Sequence, residues 1–172
     1  MTTQTSTAQI PARFGVTFLL LAVLSTWITS IDAVAEQVQV PLSRLVTFLS
    51  AQILSVLGNV SVSQNFLSFK GFSVEIVEAC NGVLPMLIYV AAILAFPSRW
   101  RAKACGVLIG IPAIFGINLI RVVTLMIFGA SWPQVFDFVH IYVWEALVIA
   151  LTMGVWVFWV ELFVRRAGAA GR

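Results

Sequence analysis

The sequence predicts an all-α polytopic membrane protein with about four transmembrane helices, an amphipathic helix and a short extracytoplasmic β-hairpin. Hydrophobic residues make up 60% of the 172 residues and charged residues only 10%, and the mean hydropathy is +1.02. Soluble domains carry roughly 25% charged residues, so lipid must be the solvent for most of this surface. The length allows one integral membrane domain over residues 1–172.

The first apolar run predicts a spanning helix over residues 14–31, because this length is about enough to cross a hydrocarbon core of ~30 Å. Arg13 precedes the run. The tripeptide at 33–35 (AVA) resembles a signal-peptidase site, so a cleaved leader is the alternative for this segment. Both interpretations place the residues that follow outside the cytoplasm.

Two weaker patterns come next. Apolar residues recur at helical spacing through 42–57, which predicts an amphipathic helix at the membrane interface or against the bundle; a spanning helix is the alternative. Alternating residues at 60–62 and 72–76, with Lys70-Gly71 between them, predict a short hairpin. Lipid does not tolerate open strand edges, so the hairpin should lie outside the hydrocarbon.

Three further spans are predicted at 79–97, 104–128 and 141–163. The apolar centre of the first, 83–96, would be only about 21 Å long as a helix, so this span must also recruit residues 79–82. That extension places Cys80 at the outer rim of the membrane.

Basic residues set the orientation, because they gather on the cytoplasmic side. With four spans, seven of the ten basic residues are cytoplasmic and both termini lie inside. The net charge of +3 therefore indicates orientation, and nucleic acid is not an expected partner. The seven are Arg13, Arg99, Arg101, Lys103, Arg165, Arg166 and Arg172.

This topology brings three polar residues to one depth. Cys80 opens the second span from outside, Arg121 lies about 10 Å inward from the outer end of the third, and His140 stands at the outer start of the fourth. A common pocket just below the outer surface is therefore predicted.

Arg121 lies in an apolar stretch, where a charge costs roughly 2.5 to 3.5 kcal/mol on insertion scales. A structural ion pair with Glu145 is one explanation. The functional explanation is a polar cavity in which the guanidinium binds an anion or a developing oxyanion. Asn118, one turn away on the same face, would share that cavity.

Cys80 is the centre of the segment Glu78-Ala79-Cys80-Asn81-Gly82, at or just before a helix N-terminus. Exposed N–H groups and the helix dipole favour a thiolate there. Asn81 can cap the helix, and Gly82 allows close approach of another chain. A lone cysteine is also commonly a small buried packing residue, which is the structural alternative.

His140 is the only histidine and can act as a general base or acid beside a cysteine, with Asp137 orienting its ring. The alternative is a polar anchor at the membrane interface. Cys105 lies at the cytoplasmic end, ~30 Å from Cys80 across the membrane, so it should be a packing residue. One histidine and one cysteine are two ligands short of a zinc set, so neither a metal nor a cofactor is expected.

The pattern Glu78-Ala79-Cys80-Asn81-Gly82, then Asn118-x-x-Arg121, then a lone His140 opening the last span, resembles the exosortase/archaeosortase family. The resemblance covers roughly residues 58–163 and is greatest to the short exosortase H type. Many members of that family are longer and have more spans.

The resemblance implies a membrane-embedded cysteine peptidase or transpeptidase. Cys80 would be the nucleophile, Arg121 would stabilise the oxyanion and His140 would carry the proton. The other segment residues would have supporting or substrate-binding roles, namely Glu78, Asn81, Gly82, Asn118 and Asp137.

The implied substrates are exported proteins that end in a sorting signal: a short motif, an apolar helix and a basic tail. The implied acceptor is a surface lipid or glycan, and the implied location is the bacterial inner membrane with the site facing the periplasm. Two alternatives are simple hydrolysis without transfer, and a non-catalytic transporter or assembly subunit that uses an Arg121–Glu145 pair.

Overall fold

Five helices and three strands are present in the part of the chain that the structure describes, residues 5–77 and 80–165, with side chains from residue 13 onward. In this computed structural model, π-helical turns interrupt the second helix at Ala35–Gln39 and the last helix at Val139–Val143 and Val160–Arg165. The elements are α1 (Thr5–Thr29), α2 (Asp32–Ser55), β1 (Val60–Ser63), β2 (Phe66–Phe69), β3 (Phe72–Glu75), α3 (Val83–Ala95), α4 (Trp100–Ser131) and α5 (Pro133–Arg165).

Two helices of the described residues are long and apolar enough to cross a membrane. These are α4 with 32 residues and α5 with 33, and they contain the predicted spans 104–128 and 141–163. At 1.5 Å per residue each extends about 50 Å, well beyond the ~30 Å hydrocarbon core. The chain is therefore a helical membrane protein that carries a small sheet.

α1 and α2 meet at a bend of 79°. The described part of α1 is long and apolar enough to cross a membrane only when it is counted together with α2. Gln39, in the π-helical turn of α2, donates a hydrogen bond from Nε2 to the carbonyl of Thr29 at 2.9 Å. Because the last carbonyls of a helix lack partners within it, this bond caps α1 and secures the bend.

α2 is amphipathic as predicted, and the face that packs on the protein combines hydroxylated side chains with the apolar core residues Val46, Ala51 and Leu54. Its buried side chains are mostly small or hydroxylated, whereas Phe48, Ile53 and Val56 are exposed. Helices in lipid pack through small residues because lipid tails are as apolar as a leucine side chain. The buried stripe is Ser43, Val46, Thr47, Ser50, Ala51 and Leu54.

α3 is apolar but has only 13 residues. The predicted extension through 79–82 is wrong for the described residues: Gly82 has a left-handed backbone (φ +82), so the helix begins at Val83. At the other end, Pro97 disfavours helical geometry in the preceding residue, and Phe96 is extended. Cys80 therefore lies in the turn before α3 and not within the helix.

Glycines on α4 receive large side chains from α3 and α5. The ring of Tyr89 occupies the space above Gly110, and its hydroxyl donates a hydrogen bond to the carbonyl of Gly106 at 3.0 Å. Trp159 packs on Gly106 and donates from Nε1 to the carbonyl of Ala102 at 2.8 Å. These contacts hold α3 and α5 against the helix that carries Arg121.

The predicted hairpin is a three-stranded antiparallel sheet of order β1-β2-β3. The sequence interpretation missed the middle strand, and Lys70-Gly71 forms the turn between β2 and β3, with positive φ at both residues. Phe72 then packs directly on Gly129 of α4. This contact seats the sheet on α4.

Candidate active site

Backbone contacts hold Cys80 in its turn. Its N–H donates to the carbonyl of Val77 at 2.8 Å, and its own carbonyl accepts a hydrogen bond from Nδ2 of Asn118 at 2.8 Å. Asn118 is almost completely buried on α4. The turn is thus attached to both the strand segment before it and the helix that carries Arg121.

The thiol faces the predicted histidine. Sγ of Cys80 lies 3.7 Å from Nε2 of His140, within hydrogen-bond range for sulfur. The imidazole stacks on the ring of Phe136, with centroids 5.6 Å apart and an interplanar angle of 23°. Phe136 in turn contacts Phe72 of β3 at 5.0 Å between centroids. The histidine ring is therefore oriented by stacking.

Arg121 completes the predicted group. It is 7% exposed and lines the same small cavity, about 120 Å³, as Cys80 and His140. Its Nη2 lies 3.7 Å from Oε2 of Glu145, whose side chain is 60% exposed. Nε of Arg121 is buried and has no hydrogen-bond partner among the described residues. The guanidinium therefore keeps a donor for another group, although the ion pair with Glu145 that the sequence left as an alternative is present.

A second cavity reaches Arg121 from the other side. It has a volume of about 430 Å³ and lies between α1, α3 and α5, and Arg121 and Glu145 are the charged residues that line it. The remaining lining is largely apolar, including Phe14, Phe18 and Trp156. Arg121 therefore lines both the small cavity that contains the thiol and a larger one. Both are lined mainly by apolar groups, so the small cavity is not the polar one that the sequence suggested.

The two residues after Cys80 lock the turn in place. Asn81 is fully buried; its Oδ1 accepts the N–H of Val83 at 2.9 Å, which is the predicted cap of α3. Its Nδ2 donates to Oγ of Ser43 at 3.3 Å. Gly82 packs so closely on Asn118 that an added Cβ would lie 3.0 Å from Cγ of that side chain. The predicted close approach at Gly82 is thus to α4 of the same chain.

Asp137 and Glu78 were also predicted to support the site. Asp137 is exposed, and no hydrogen bond of the described residues joins it to His140. The π-helical turn Val139–Val143 shifts the helical register there. Glu78 lies outside the described residues.

Burial raises the pKa of the Cys80 thiol, the Arg121 guanidinium lowers it in part, and the Glu145 carboxylate raises it. The prediction that the thiolate is favoured is therefore wrong in its net direction, although Arg121 favours the thiolate. The physical reason is that Cys80 is half-buried against apolar neighbours in the cavity. A protonated thiol needs a base before it can act as a nucleophile, and His140 is in position to be that base.

The family model of the transmembrane exosortases matches residues 8–160. This match covers most of the 172 residues. The chain belongs to the exosortase family. No curated protein and no solved structure matches it.

In this family member, sequence reasoning missed two residues that support the site, Phe136 on the same helix as His140 and Ser43 on α2. Phe136 precedes His140 by one helical turn, so the spacing of the two could have indicated the stacking. Ser43, which contacts Asn81, comes from α2 and carries no signal in the sequence. Among the described residues, no group of three or more His, Cys, Asp or Glu side chains could hold a metal ion.

Proposed function

We propose that this exosortase-family chain is a membrane-embedded cysteine peptidase and transpeptidase. It cleaves a C-terminal sorting signal from exported proteins at the outer face of the membrane and transfers the new carboxyl end to a surface acceptor. Cys80 is the nucleophile, His140 the proton carrier and Arg121 the stabiliser of the oxyanion. The main support is the 3.7 Å contact between Sγ of Cys80 and Nε2 of His140, beside a buried Arg121.

The first half of the reaction forms a thioester. His140 takes the thiol proton and Sγ of Cys80 attacks the scissile carbonyl carbon. The carbonyl oxygen becomes an oxyanion, and the unpartnered Nε–H of Arg121 is a donor for it. The C–N bond then breaks, and the leaving amine takes the proton from His140. The released product is the anchor segment.

The second half transfers the acyl group. An amine or hydroxyl of the acceptor loses its proton to His140 and attacks the thioester carbon. The C–S bond breaks, and the thiol recovers its proton from His140. A partly desolvated site favours an acceptor over water, and the apolar cavity of about 430 Å³ beside Arg121 supports a lipid-facing approach.

The topology that this function requires has four spans, both termini in the cytoplasm and the site at the periplasmic face of the bacterial inner membrane. α1 serves as the first span. α3 covers only about 20 Å, so it serves as the second span together with the non-helical turn at 80–82. Seven of the ten basic residues lie on the cytoplasmic side of this arrangement, which supports it. Labelling with a membrane-impermeant maleimide should modify Cys80 from the periplasm and Cys105 only after permeabilisation. Labelling of both cysteines from one side would contradict the topology.

The catalytic test uses the two cysteines as a matched pair. Cys80→Ala should abolish removal of the C-terminal anchor from an exported reporter that ends in an apolar helix and a basic tail. Cys105→Ala should leave removal unchanged, because Cys105 is exposed at the far end of α4. A gel shift of the reporter measures both. Normal processing by Cys80→Ala would refute the proposal.

Mass spectrometry of the released reporter separates transfer from hydrolysis. A product joined to a lipid or glycan mass supports transfer, whereas a free carboxyl end supports an intramembrane cysteine protease.

The 3.7 Å pair between Arg121 and Glu145 supports a second candidate, a non-catalytic transporter or assembly subunit in which this pair forms a gate. That function predicts that Cys80→Ser leaves activity nearly intact while Arg121→Leu abolishes it. The catalytic function predicts that both variants are inactive.

A further inference from the structure

β3 is an edge strand with one side open. The sheet order is β1-β2-β3, so β3 has a strand neighbour on one side only. The N–H of Ile76 donates to the carbonyl of Asn65 at 2.8 Å, which makes these two residues a hydrogen-bonded pair. Bonded and non-bonded pairs alternate in an antiparallel ladder. The backbone of Val74 therefore faces β2, and the backbones of Ser73 and Glu75 face the open edge.

Three backbone groups at this edge are unpaired within the described residues. These are the N–H and the carbonyl of Ser73 and the N–H of Glu75; the carbonyl of Glu75 accepts the N–H of Val77 at 3.2 Å. Ser73 and Glu75 are also both exposed. Such a row of free donors and acceptors is a template for another extended chain.

The open edge leads into the cavity that holds the thiol. Residues 74–77 line that cavity together with Cys80, Arg121 and His140. A peptide paired with Ser73 and Glu75 advances about 3.3 Å per residue, so a few further residues bring its backbone to the cavity mouth. Its alternate side chains would point toward the 120 Å³ space.

We propose that the free edge of β3 is the subsite for the extended segment of the substrate next to the scissile bond, which adds to the sheet as a fourth strand. This inference rests on the proposed peptidase function and assigns its mode of substrate binding. Main-chain hydrogen bonds to Ser73 and Glu75 set the register of the peptide, and the register sets the position of the scissile carbonyl relative to Sγ of Cys80. Recognition through this edge requires an extended backbone and tolerates many side chains.

A matched pair of variants tests the edge. Ser73→Pro removes an N–H that faces away from β2, so the existing ladder stays intact, and proline is accepted at such edge positions. Ser73→Ala keeps the N–H but loses the same hydroxyl contact with Ser68. Processing of the reporter should be about tenfold lower in Ser73→Pro than in Ser73→Ala, and equal processing by the two variants would overturn the edge subsite. Equal alkylation rates at Cys80 in the two variants would verify that the site is intact.

Disulfide crosslinking tests binding without catalysis. A chain carrying Cys80→Ala, Cys105→Ala and Ser73→Cys is expressed with reporters that bear single cysteines at successive positions before the apolar helix. Crosslinks at every second reporter position support strand addition, because facing side chains on neighbouring strands have Cβ atoms about 4.5 to 5.5 Å apart.

The crosslinking pattern tests whether the edge of β3 binds the substrate. Processing of the reporter by the wild type tests the proposed peptidase function. Crosslinks at a helical period of three to four residues, or none, overturn the edge subsite while normal processing preserves the peptidase proposal. Alternate crosslinks with a reporter that the wild type leaves uncleaved would support the subsite and count against the peptidase proposal.

Discussion

Gly82→Ala should destabilise the protein by about 2 to 5 kcal/mol and displace the turn that carries Cys80. The left-handed backbone at φ +82 costs a residue other than glycine roughly 1 to 2 kcal/mol. The new Cβ would also lie 3.0 Å from Cγ, 3.1 Å from Cβ and 3.2 Å from Nδ2 of Asn118. Overpacking of this kind costs about 1 to 3 kcal/mol. Because Nδ2 of Asn118 holds the carbonyl of Cys80, processing should fall as well.

A double-mutant cycle separates the two costs. Asn118→Ala alone leaves the carbonyl of Cys80 without its donor, at a cost of about 1 to 3 kcal/mol. In the double variant Cγ and Nδ2 are gone and only the 3.1 Å contact with Cβ remains. The loss of unfolding free energy in the double variant should therefore be about 0.5 to 2 kcal/mol smaller than the sum of the losses in the two single variants. The cost of the left-handed backbone at residue 82 remains in the double variant.

The assay is unfolding of the detergent-solubilised protein, followed by circular dichroism. Gly154→Ala is the matched control, because nothing lies within 4 Å of its added Cβ. In a helix interior that change should be neutral or stabilise by roughly 0.5 to 1 kcal/mol. Wild-type stability in Gly82→Ala, or strict additivity in the double variant, would refute this account of the turn.

Gly110→Ala should cost at least about 3 kcal/mol of unfolding free energy, because the added Cβ would lie 2.2 Å from the ring of Tyr89; normal unfolding would show that α3 and α4 pack differently. Alkylation of Cys80 by iodoacetamide, in a chain without the other cysteine, should rise through a midpoint above the usual thiol pKa, because burial is the largest influence and raises it. Arg121→Met removes the cation that lowers this pKa, so the midpoint should move higher and alkylation at neutral pH should slow. Glu145→Gln removes a carboxylate that raises the thiol pKa, so alkylation at neutral pH should accelerate; a change in the same direction as Arg121→Met would contradict the assigned electrostatics.

The local sequence pattern was sufficient to predict several of the helices. The lengths of the apolar runs predicted α4 and α5, and the helical period of 42–57 predicted α2. The sequence placed Lys70-Gly71 between the two predicted strands, and the structure shows a turn there with positive φ at both residues. The middle strand β2 has only four residues and was missed. Its place in the sheet depends on pairing with both neighbours, which no single segment encodes.

The sequence by itself indicated a helical membrane protein and predicted a common pocket for Cys80, Arg121 and His140, because hydropathy and charge can be interpreted without knowledge of packing. The three residues line one cavity. Only the tertiary structure decided how these side chains meet. The hydrogen bonds that hold Cys80 and Asn81 and the contact of Arg121 with Glu145 join residues from different elements. The state of the thiol is also a tertiary property: burial outweighs the nearby cation, and burial depends on the whole packed site.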